Sequence, residues 1–366
     1  MRASTLRFLR QYFRPRRNII DVSETTFRRG GETLPATVYR RRGQTHHRTA
    51  WVVLHGITYK GRQHKGLQRF AGAMAAAGHL VFIPEIPEWS RFRIAPALAV
   101  PTIRAAVHAL HERTDIDRDR IGLFAFSFGG TQAIIAANDA SIERELSGLV
   151  SWGGYANVRD LVEFGFTGEH AFDGERYRVE PDPYGRWIVG GNYLTRMAEY
   201  ERMHDVASAL LELATEAGKR GVYAGDPQYE PLKQELAGRF QGEKLQLFNV
   251  FAPVGRIVGA DRSLARSLID PVTETILKCD PLMDPTQALA GLRVRTFLAH
   301  GRDDRLIPFT ESLRASQQIP QQVLAGCAVT GLFAHSGGTS NNLNLRGKLQ
   351  EGWLFLSTLD RALNLI

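Results

Sequence analysis

The chain has 366 residues, 43% of them apolar, and a formal net charge of +8; this allows a large buried core in one domain or two. Twelve arginines, no lysine and three acids fall within residues 1–50, so the remainder is near neutral. A basic end on a neutral body argues against a nucleic-acid enzyme, the apolar runs are too short for a membrane span, and Cys279 and Cys327 have neither metal nor redox spacing.

The start, MRASTLRFLRQYFRPRR, has the charge of a signal peptide but no continuous apolar centre, because Arg7, Arg10 and Arg14 interrupt it. A cytoplasmic protein is expected. Residues 1–17 read instead as a basic amphipathic arm. Leu6, Leu9 and Phe13 lie at helical spacing, Phe8 and Tyr12 widen the apolar side, and Pro15 ends the run. Such an arm either docks on the protein's own body or on a second copy in a homo-oligomer, or lies on an anionic membrane surface. The small apolar side favours docking on protein.

Two β-rich stretches follow, Ile19 to Phe27 and Thr33 to Tyr39, with Gly30-Gly31 as a hairpin signal between them. Ala50 to Gly56 reads as a buried strand, Gly66 to Ala77 as a helix stopped by Gly78, and His79 to Pro84 as the next strand. Helix is expected at Ala97 to Arg113 and Phe128 to Ala137, and strand at Arg120 to Phe126 and Ser147 to Trp152. Apolar strands alternating with helices indicate an α/β protein with a mostly parallel sheet covered on both faces. The alternation stops from Tyr155 to about Asp284, where helix is expected at Tyr193 to Ala217 and Pro231 to Phe240. It resumes with strands Val294 to His300 and Gln322 to Val329 and a helix Leu343 to Leu363. The expected organisation is an arm (1–17), a core (18–154 and 285–366) and an inserted, mainly helical cap (155–284).

The most informative stretch is RIGLFAFSFGGTQAIIAA. A buried strand runs straight into Ser127, Phe128-Gly129-Gly130 follows, and a helix begins. A serine at so sharp a turn has its hydroxyl pushed out above the sheet edge, and the helix N-terminus behind it offers free N–H groups to a developing oxyanion. Ala125-Phe126-Ser127-Phe128-Gly129 resembles the Gly-x-Ser-x-Gly nucleophile turn of the α/β-hydrolase family, with alanine in place of the first glycine.

The resemblance implies a triad in the chain order serine, acid, histidine. In FLAHGRDDRLIP the family's acid stands three residues past the glycine and four before the proline. Asp304 fits both counts, with Gly301 before it and Pro308 after, and its neighbour Asp303 does not. Of the 11 histidines only His335 follows position 304, in the loop where the family carries its base. Asp304 would hold the imidazole while His335 takes the proton from Ser127. His55-Gly56 ends a strand as the family's His-Gly does, which assigns the oxyanion donors to the backbone N–H of Ile57, or alternatively Thr58, and of Phe128. Aromatics of residues 155–284 could line an apolar acyl pocket. The resemblance thus implies a serine hydrolase acting on a small-molecule acyl substrate, an ester first. Thioesterase, amidase or peptidase, and acyltransferase chemistry use the same triad, and a non-catalytic binding module is the third class. No cofactor, metal or nucleic-acid partner is implied.

Overall fold

The computed structural model describes residues 1–221, 223–254, 262–331 and 345–366. Strands β1 (Ile20–Arg29) and β2 (Glu32–Arg41) form an antiparallel hairpin with Phe27 opposite Leu34. Its turn places Gly30 at φ 58°, where a residue without a Cβ pays no steric penalty. Strands β3 (Ala50–Leu54), β4 (Leu80–Pro84), β5 (Ile121–Phe126) and β6 (Gly148–Trp152) are buried along their length apart from Phe126. That burial on both faces explains why they read as unbroken apolar runs. A small hairpin, β7 (Glu169–Phe172) and β8 (Glu175–Arg178), stands apart. β9 (Thr296–Gly301) and β10 (Leu324–Thr330) complete the main sheet.

Among the described residues the eight strands lie in the order β1-β2-β4-β3-β5-β6-β9-β10. β2 runs antiparallel to β1 and β4, and the other neighbours are parallel. The carboxyl ends of β3, β5, β6, β9 and β10 therefore share one edge of the sheet. Successive side chains on β5 divide between two cores: Leu123 and Ala125 face one, Phe124 the other. The Phe124 side is covered by helices Lys65–Ala77 and Leu345–Leu363, through Phe70, Met74 and Leu363. The opposite side is covered by helices Pro96–His111 and Phe128–Ala137 and by residues inserted between β6 and β9.

The insertion is mainly helical and shares one continuous apolar core with the sheet, in which Tyr155, Trp187 and Phe251 are fully buried. Its helices include Val158–Thr167, Pro183–Tyr193, His204–Arg220, Gly242–Phe251 and Ile269–Cys279. The expected helix from Tyr193 starts later, at His204: Tyr193 ends the preceding helix, and two short 3-10 turns, Leu194–Arg196 and Ala198–Tyr200, come between, although Tyr193, Leu194, Met197, Tyr200 and Met203 are spaced like one helical face. The β7–β8 hairpin was not expected either; it is largely exposed and charged and carries no apolar alternation.

The arm forms a helix, Ala3–Phe13, docked on the body. Phe8 is 3% exposed and meets Phe70 edge-on at 5.2 Å between ring centres. The Thr5 hydroxyl and the Arg2 N–H donate to Asp360 Oδ1 at 2.6 and 2.7 Å. The docked face differs from the expected one: Leu6 and Phe13 are 52% and 65% exposed, whereas Thr5 and Gln11 are buried. Hydrogen bonds bring those two polar residues inside, Thr5 to Asp360 and Gln11 to both backbone groups of Arg16. Among the described residues no helix is long and apolar enough to cross a membrane.

Candidate active site

Ser127 sits at the junction of β5 and the helix Phe128–Ala137, at φ 57° and ψ −139°. Among the described residues only Phe92, Ser127 and Asp173 are non-glycines with positive φ, and an L residue holds such a conformation only when its surroundings over-determine it. Here they do. The Ser127 N–H donates to the Trp152 carbonyl at 2.8 Å, and the Gly130 N–H donates to the Ser127 carbonyl at 2.7 Å. The glycines after it allow close passage. A Cβ on Gly129 would lie 2.4 Å from the His55 carbonyl oxygen, and one on Gly130 2.5 Å from Ser151 Oγ. Ala125, in place of the family's first glycine, is fully buried between β3 and β6 without disturbing their register.

Gly56, at the end of β3, packs directly against the serine; a Cβ there would stand 2.9 Å from Ser127 Cβ and 3.0 Å from Oγ. The buried His55 ring turns back so that Nδ1 donates to the Gly56 carbonyl oxygen at 2.5 Å. Its ring stands edge-on to Trp89, and burial holds it neutral, at about 4. Because the 56–57 peptide is trans, fixing that carbonyl also fixes the Ile57 N–H on the opposite side. The role of His55 as a clamp on this peptide had no signal in the sequence beyond the His-Gly pair.

Asp304 lies just past β9 and is 2% exposed. Its Oδ1 accepts from the backbone N–H groups of Leu306 and Ile307 at 2.9 and 3.1 Å. Its Oδ2 lies 3.7 Å from His300 Nε2. His300 is itself engaged: Nε2 donates to the Ile307 carbonyl at 2.9 Å, and Nδ1 shares a hydrogen bond with the Ser312 hydroxyl at 2.7 Å. Asp303 is only partly buried, and its Oδ2 has no hydrogen-bond partner. His335 lies outside the described residues.

Ser127 lines two cavities. One, of about 310 Å³, opens toward the arm and the helix Lys65–Ala77; Tyr12, His64, Phe70 and Trp152 line it with Ser127 and Ile57. The other, of about 120 Å³, lies beneath the insertion and is lined by Phe128, Leu161, Phe166, Tyr184, Arg186 and Ile307, among others. The sequence did not single out His64 or Arg186, and it placed Tyr12 on the apolar side of the arm rather than at the site. Among the described residues no group of three or more His, Cys, Asp or Glu side chains is placed to hold a metal ion.

No protein-family model matches the chain, and no curated protein does. Solved structures do. An acylaminoacyl peptidase from Pyrococcus horikoshii superposes with a TM-score of 0.50 over 94% of this chain at 13% identity. The match covers 42% of the peptidase, so this chain spans well under half its length. A bacterial brefeldin A esterase gives 0.47 at 15% identity, covering 98% of this chain and 83% of that one. A putative dienelactone hydrolase from Klebsiella pneumoniae gives 0.46 at 12% identity, covering 93% and 99%. At these identities the likeness is one of fold.

Proposed function

We propose that this chain, which has the α/β-hydrolase fold, is a serine hydrolase that cleaves a carboxylic ester through an acyl-enzyme on Ser127. The observation that carries the proposal is the backbone of Ser127: a strained φ of 57° at a strand-to-helix turn, with the residue open to two cavities. Strain of this kind is retained where it aims a side chain.

The steps follow from the residues. His335 accepts the Ser127 hydroxyl proton as Oγ attacks the ester carbonyl. The carbonyl oxygen gains the electron pair and faces the N–H groups of Ile57 and Phe128, the first oriented by the His55 clamp on Gly56. Collapse of this intermediate expels the alcohol, which takes the proton from His335. A water then attacks the acyl-enzyme, with His335 again as base, and collapse of the second intermediate releases the acid as Ser127 Oγ takes the proton back from His335. Asp304 holds the imidazole through Oδ2, with Oδ1 pinned by two backbone N–H groups. His335 enters from the chain order of the motifs. Residues 155–284 act as a cap that shapes the acyl pocket.

The test is turnover of a panel of p-nitrophenyl esters and acyl-CoA thioesters by wild type and Ser127→Ala. Ester turnover that the substitution abolishes supports the reading. A thioester-only profile moves the substrate class, and a variant as active as wild type removes Ser127 from the chemistry.

A further inference from the structure

The cavity beneath the insertion has mainly apolar walls, among them Ile94, Leu161, Val162, Phe166 and Ile188, yet two charged residues, Asp182 and Arg186, line it as well. Arg186 belongs to the helix Pro183–Tyr193 and packs its stem beside Gly165, where a Cβ would lie 3.7 Å from Arg186 Cγ. Its Nη1 donates to the Val250 carbonyl at 3.2 Å. Its Nε is sealed from solvent and has no hydrogen-bond partner. Asp182, which caps the same helix by accepting from the Tyr184 N–H, lines the same cavity and acts on Arg186 electrostatically, but its charge does not outweigh the burial of the guanidinium. Burial lowers the Arg186 pKa to about 10, which leaves it a cation at neutral pH.

An arginine Nε sealed beside apolar walls without a partner is costly unless something pairs with it. Nε and Nη2 form the side of a guanidinium that grips a carboxylate with two parallel hydrogen bonds. Nη1, on the other side, is the nitrogen already bonded to Val250. Ser127 lines the same cavity, so a group held by Arg186 would belong to the molecule being cleaved.

We propose that Arg186 is a specificity-determining residue that receives a carboxylate carried on the acyl portion of the substrate, so that the preferred esters are half-esters of short dicarboxylic acids. This rests on the serine-hydrolase reading for its chemistry, but the carboxylate site itself does not depend on turnover.

Two measurements keep them apart. The first compares kcat/KM for monomethyl adipate and for methyl 6-methylheptanoate, in which an uncharged isopropyl group replaces the terminal carboxylate. Wild type should favour the anionic ester at least tenfold, Arg186→Met should erase the preference, and Arg186→Lys should keep part of it. The second titrates adipate into each protein by calorimetry. Adipate should bind wild type and bind Arg186→Met at least tenfold more weakly. A wild type that favours the neutral ester, or adipate that binds wild type no better than Arg186→Met, overturns the proposal while leaving a serine hydrolase in place. If neither ester is cleaved, the serine-hydrolase reading suffers and the titration alone decides the carboxylate site. Should Arg186→Met fail to fold, the wild-type preference and the Arg186→Lys titration decide it.

Discussion

Ser127 holds a backbone conformation that costs an L residue about 1–3 kcal/mol. Ser127→Gly should therefore stabilise the fold by about 1 kcal/mol net of the glycine's extra chain entropy, read as a higher melting temperature, while abolishing turnover. A glycine variant less stable than wild type would mean that the turn is not strained. The acid makes a second contrast. Asp304 is buried on two backbone N–H groups, whereas Asp303 is only partly buried and makes no such bonds. Asp304→Asn should cut kcat by about 10⁴, and Asp303→Asn should fall within a few-fold of wild type; the reverse order would move the acid to Asp303. Ser127 was readable as a candidate because a strand running into Ser-Phe-Gly is a local pattern, and Asp304 because the resembled family counts its acid between a glycine and a proline. Arg186 was not. In Asp-Pro-Tyr-Gly-Arg-Trp it reads as a solvated helix charge. Its burial depends on Gly165 and Val250, which folding alone brings near.

Alternating buried strands and helices were readable as elements because each β3–β6 strand is covered on both faces and so lacks polar interruptions. The arm was readable as a helix but not in its orientation, since amphipathic spacing does not foresee that Thr5 and Gln11 find internal partners. The structure therefore separates two substitutions that sequence spacing would rank together. Phe8→Ala should cost about 3 kcal/mol, whereas Leu6→Ala should stay within about 0.5 kcal/mol, both read by denaturant unfolding; equal costs would contradict the docked face. A second element, the helix Thr310–Gln318, ties the start of the insertion to the core. There Glu311 Oε2 accepts from the N–H groups of Ala156 and Asn157 at 2.9 and 2.8 Å. Burial pushes the Glu311 pKa up to about 7, against 4.5 for a free side chain. Between those values the folded protein holds a proton that the unfolded chain has released. Stability from this group is thus fully present below pH 4.5 and is lost as pH rises to 7. Glu311→Gln should flatten that part of the melting-temperature profile, and an unchanged slope would show that Glu311 ionises normally.

At the scale of the whole molecule, the sequence placed the insertion between the sixth and the last two core strands. It did not reveal that sheet and insertion bury one continuous apolar cluster, because the joining residues, from Tyr155 through Trp187 to Phe251, are far apart in the chain. A shared core of that kind should unfold in one calorimetric transition; two resolved transitions would mean that the insertion is an independent domain. Residues of the insertion and Ser127 line one cavity. The basic arm lies on the other side of the sheet, where Tyr12 reaches the larger of the two cavities. What this architecture is for turns on a single atom, Ser127 Oγ. The most direct measurement is covalent labelling with a fluorophosphonate followed by peptide mass spectrometry. Ser127 should carry the label in stoichiometric yield, and Ser127→Ala should carry none. A label on another serine, or a wild type that resists the reagent while its fold is intact, would contradict the account.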